Sequence, residues 1–105
     1  MKLPNKIDIV GLKYDIIYTK TLKEDIQKIV KDKEDAGDYS GYCYMNGQTI
    51  WIDDTMSKEQ KERTLVHEII ESIGHILAIR LKHRQIEALE HGIYYVFQNN
   101  KLFKE

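Results

Sequence analysis

The chain has 105 residues, 42% of them hydrophobic and 31% charged, with 16 basic against 17 acidic side chains and a net charge of -1. That length accommodates one core, so residues 1–105 read as a single domain. The near-neutral balance gives no overall positive field for nucleic acid. Cys43 stands alone, which excludes an internal disulfide, a four-cysteine zinc site and a CxxC redox pair. No apolar run reaches the length of a membrane span, and Met1 to Lys6 lacks the apolar stretch of a secretion signal, so a cytoplasmic setting is expected.

In chain order, Lys6 to Tyr18 alternates apolar and polar residues and reads as two strands, with Gly11-Leu12-Lys13 as the turn. Leu22, Ile26, Ile29 and Val30 fall at helical spacing within Thr21–Lys33, with Thr21 as N-cap and Glu24 three residues on. Lys31 to Asp38 is a charged loop. Tyr39–Met45 and Thr49–Asp53 form a hairpin about Asn46-Gly47, a pair suited to positive φ. Tyr39, Tyr42, Tyr44 and Trp51 read as core and sheet-face packing. Ser57 and Gln60 make a capping box that opens a helix with Leu65, Val66, Ile69, Ile70 and Ile73 on its core side. A last helix runs from about Lys82 to Asn99, with Ile86, Leu89, Ile93, Val96 and Phe97 as its buried stripe. The order ββαββαα predicts an α+β fold, a small antiparallel sheet with two helices after it, the second C-terminal.

The chemistry concentrates at His67-Glu68-Ile69-Ile70-Glu71. Positions four apart project about 40° apart around a helix, so His67 and Glu71 reach one ion. The spacing is that of HExxH, in which two histidines bind zinc and the glutamate activates water. Here the second histidine is a glutamate, itself a legitimate zinc ligand. One more ligand is needed, and His83 at the head of the last helix is the best candidate. This requires the preceding helix to stop near Gly74-His75 and the chain from Ile76 to Lys82 to fold back. His75 continues the His67/Glu71 stripe as a reserve ligand. Glu87, Glu90 and His91 read as surface groups, Glu87 with a possible place behind the ligands. The bland alternative is a solvated helical face in a metal-free interaction domain.

The run from Thr64 to Gly74 and the run from Leu81 to Tyr94 resemble small phage and mobile-element proteins related to the ImmA/IrrE metallopeptidase-like group. Thr49 to Asp54 resembles the strand and acidic turn that precede the active helix there. Members of that group carry HExxH on the helix and a glutamate on the next one. Here the two later positions look exchanged, with Glu71 on the helix and His83 downstream. The resemblance implies a minimal zincin-like domain with a metal-site helix, a zinc-dependent metallopeptidase with Zn2+ on His67, Glu71 and His83 and Glu68 as general base. It implies a protein or peptide substrate, such as a regulator; the charge balance and the lack of a long apolar run point to neither nucleic acid nor membrane as partner. The second expectation is a catalytically inactive binding module of the same fold in phage or host regulation.

Overall fold

The computed structural model describes residues 3–29 and 40–100. Its elements are β1 (Lys6–Ile9), β2 (Leu12–Thr19), α1 (Leu22–Ile29), β3 (Gly41–Tyr44), β4 (Thr49–Asp53), α2 (Lys58–Ile76) and α3 (His83–Asn99). This is the expected α+β order. The predicted last turn of the first helix, residues 30–33, the charged loop and Tyr39 lie outside the described residues. None of the helices among the described residues is long and apolar enough to cross a membrane.

The four strands form one sheet in the order β1-β2-β4-β3. Both sequence-local pairs, β1 with β2 and β3 with β4, are antiparallel as expected. The central pair differs: β2 and β4 run parallel, Ile16 opposite Ile50 and Tyr18 opposite Ile52, so the sheet is mixed. Parallel neighbours need a long crossover, and the connection through α1 provides it. Leu22 and Ile26 of α1 pack with Tyr42 and Trp51 on one sheet face. Ile9, Tyr14, Ile16, Ile50 and Ile52 turn to the other face and meet Leu65 of α2.

Local turn chemistry departs from the expectation at three places. The first hairpin turns at Val10-Gly11 rather than at 11–13, since Ile9 is opposite Leu12. Both turn residues have positive φ, 49° and 87°, as a two-residue hairpin requires, and the Gly11 N–H donates to Asp8 Oδ1 at 2.7 Å. The second hairpin has a four-residue turn, Met45 to Gln48, closed by Gln48 N–H to the Met45 carbonyl, and its left-handed residue is Gln48, not Asn46 or Gly47. Gly47 is needed for space, because a Cβ there would lie 2.7 Å from the Tyr44 ring. At the head of α1 the Thr19 and Thr21 hydroxyls donate to Asp25, so Asp25 rather than Glu24 is the partner.

Ser57 and Gln60 form the expected capping box at the start of α2. At its other end the helix runs to Ile76, one residue past the expected stop near Gly74-His75. Ala78 adopts φ 58°, its N–H donates to the His75 carbonyl, and the Ile79 N–H reaches back to the Gly74 carbonyl at 2.8 Å. This is a Schellman stop with alanine where glycine is usual. Gly74 acts by leaving room instead: a Cβ on it would stand 3.1 Å from the Ile79 carbonyl oxygen. The chain does fold back here, which brings α3 alongside α2.

The buried face of α3 also differs from the expected stripe. Ile86 and Tyr94 are buried, while Leu89, Val96 and Phe97 are exposed. α3 packs on α2, itself already seated on the sheet, so the line Ile86-Glu90-Tyr94 meets a neighbour closely and, of the rest of the expected stripe, Ile93 alone is half-buried. The Tyr94 hydroxyl donates to buried Glu62 at 2.8 Å, and Arg63 lies over the Tyr94 and Tyr95 rings.

Candidate metal centre

An open cavity of about 630 Å³ lies between the start of β3, the middle of α2 and the head of α3. From α2 it receives His67, Glu68 and Glu71, and from α3 His83, Glu87 and Glu90. The helical period explains both sets. On α2 the histidine and second glutamate are one turn apart with Glu68 beside them. On α3 the offsets of four and seven put His83, Glu87 and Glu90 on one face.

His67, Glu68 and Glu71 each offer a donor atom within 4.8 Å of the others, a grouping able to hold a cation. His67 Nε2 is 3.2 Å from Glu71 Oε2, and Nδ1 is 3.0 Å from Glu90 Oε1. Glu90 in turn pairs with Arg63, Nε to Oε2 at 3.3 Å. A carboxylate on one imidazole nitrogen orients the other toward a metal, an arrangement that recurs around protein-bound zinc. The two carboxylates also act on the proton of His67: the bond to Glu71, against the opposing effect of burial, raises its pKa to about 9, and Glu90 adds to it.

Glu68 is buried, 5% exposed, and its Oε1 has no hydrogen-bond partner among the described residues. Burial, reinforced by the charge of Glu71 and opposed by His67, pushes its carboxyl up to about 8. Across from it Gly41 opens β3, and a Cβ there would sit 3.1 Å from Glu68 Oε2. An orphaned buried carboxylate oxygen beside a histidine and a second carboxylate suits a divalent cation, and the mixed N/O donor set fits zinc.

His83 stands on the rim of the same cavity, its ring 5.7 Å from that of His67 and its side chain 71% exposed. Its Nε2 is paired with Glu87 Oε2 at 2.8 Å. The fold thus brings His83 to the site but leaves it outside the tight three-residue group. His75 is elsewhere: it lines a second recess of about 440 Å³ beyond Glu71. Glu87 and Glu90, read from the sequence as surface groups, both line the centre. For Glu87, one turn beyond His83, the sequence allows a place behind the ligands; for Glu90 the available signal is its offset of seven from His83 on the same helix face. Cys43, at the cavity wall, places its Sγ 3.0 Å from Ser72 Oγ, and burial pushes its thiol up to about 11.

Among the described strands, β3 is the sheet edge beside the centre, and β4 lies inside the sheet. Asp53 N–H donates to the Ser40 carbonyl, so by antiparallel alternation Gly41 and Cys43 direct their backbone N–H and C=O away from β4. No known protein family, curated protein sequence or solved structure matches this chain.

Proposed function

We propose that this is a zinc-dependent hydrolase domain of the metallopeptidase type, acting on an extended peptide. The observation that carries the reading is the convergence of His67, Glu71 and the buried, unpartnered Glu68 at one wall of an open cavity beside a strand edge. His67 and Glu71 supply the first two ligands, and His83 on the facing helix is the nearest further histidine. When bound, zinc would polarise a substrate carbonyl and make water a better nucleophile.

The residues of the chain do the rest. Glu90 holds His67 through Nδ1 so that Nε2 turns to the cavity. Glu68 takes a proton from water through its free Oε1 and passes it to the departing amine. The outward groups of Gly41 and Cys43 hydrogen-bond a peptide laid along β3. The resemblance in the two helices favours a phage or mobile-element protein with a regulator as substrate, working in the cytoplasm.

The test is zinc content and peptide cleavage by the purified full chain and by Glu68→Gln. Stoichiometric zinc in both proteins, with cleavage lost only in the variant, is expected. Unchanged cleavage in Glu68→Gln would exclude it as the base, and absence of zinc after reconstitution would exclude the metal. A second reading, a metallopeptidase-fold binding module without catalysis, is favoured by one observation: His83 is paired with Glu87 rather than with the α2 group. Zinc without cleavage of any peptide in a broad library supports that reading.

A further inference from the structure

The cavity is lined by two His-x-x-x-Glu pairs, one from each helix. His67 and Glu71 meet Nε2 to Oε2 at 3.2 Å, and His83 and Glu87 meet Nε2 to Oε2 at 2.8 Å. The two imidazole rings are 5.7 Å apart. We propose that the centre binds two divalent cations, the first on His67 and Glu71 and the second on His83 and Glu87. The inference rests on the metal site proposed above: it keeps the first ion on His67 and Glu71 and gives His83, the further histidine of that site, to a second ion.

Three observations carry it. Each pair alone resembles half of a coordination shell, and a histidine with a carboxylate one turn away is a common way to supply it. Neighbouring ions in two-metal hydrolases lie about 3.5–4 Å apart, a span that donors on rings 5.7 Å apart can serve. Glu71 Oε1 carries no hydrogen bond to another described residue, which leaves it available as a bridge.

Charge gives a further argument. Four carboxylates line the cavity, and Arg63 is the one guanidinium paired with them among the described residues. With neutral histidines, a single dication leaves one negative charge uncompensated. Two dications leave one positive charge, which a hydroxide or the carboxylate end of a peptide neutralises. The buried, unpartnered Oε1 of Glu68 is where a lack of countercharge weighs most, because desolvated carboxylates are poorly tolerated.

The experiment is equilibrium dialysis of the chelator-treated full chain against zinc, with bound metal counted per chain by elemental analysis. Two ions are expected in the wild type and one in each of His83→Ala, Glu87→Gln and the double variant. His83 and Glu87 are both exposed, so these changes leave the core untouched, and far-UV circular dichroism checks the fold. One ion in the wild type overturns the second site and leaves the first standing. None overturns both. Two ions retained in the double variant overturn the assignment to His83 and Glu87.

Discussion

Glu90 on α3 holds Nδ1 of His67 on α2 at 3.0 Å, across 23 positions of sequence. The orientation of the best candidate ligand is therefore set by the facing helix rather than by its own. Replacing Glu90 with glutamine keeps the size and removes the charge that fixes the tautomer. Zinc affinity is expected to fall about 10- to 100-fold, the usual effect of losing such a partner. Isothermal titration of the full chain with zinc checks this, and an affinity equal to the wild type would mean that Glu90 serves only Arg63.

Gly41 tests how tightly β3 sits on the centre. A Cβ at this position would lie 2.6 Å from Thr64 Cγ2 and 3.1 Å from Glu68 Oε2. Gly41→Ala is expected to destabilise the fold by about 1–3 kcal/mol, as overpacking does, and to weaken zinc binding with it. Gly92 of α3 has no neighbour within 4 Å of such an atom. Gly92→Ala is expected to stabilise by up to about 1 kcal/mol through helix propensity. Urea unfolding of the pair gives shifts of opposite sign.

Ala78 closes α2 in a left-handed conformation, φ 58°. Glycine adopts it without the Cβ penalty, so Ala78→Gly is expected to raise stability by about 0.5–1 kcal/mol, net of its greater freedom when unfolded. A melting temperature unchanged or lowered would show that this turn is not strained.

Tyr94 donates its hydroxyl to buried Glu62, and burial first, then that bond, pushes its pKa up to about 12. The neutral phenol is thus favoured by the fold. Its contribution is complete below pH 10, the ordinary tyrosine value, and is lost as pH rises from 10 to 12. Tyr94→Phe leaves Glu62 without its donor and is expected to cost about 1–3 kcal/mol at neutral pH. Stability curves of wild type and variant should converge above pH 10; a constant gap would remove the pH argument.

The order of elements was legible because apolar spacing changes sharply from period two to period 3.6 along the chain. Ser57 with Gln60, and His67 with Glu71, were legible because both depend on one helix alone. What escaped depends on partners distant in sequence. The parallel pairing of β2 with β4 follows from a crossover that alternation does not encode. Leu89, Val96 and Phe97 fit a buried stripe, but the sheet lies on the far side of α2 and does not reach them. Val10, Gln48 and Ala78 adopt left-handed backbone without the usual residue types. Glu90 looked like solvated charge until α2 stood opposite it.

The edge that β3 forms among the described strands has a consequence for the protein in concentrated solution. Backbone groups that can receive an extended peptide can equally receive a strand from another copy, the first step of edge-to-edge aggregation. Charged side chains are the usual protection of such edges, and here the carboxylates of the cavity stand beside Gly41 and Cys43. Metal bound among them would cancel that repulsion, so loading the centre and keeping the molecules apart pull in opposite directions.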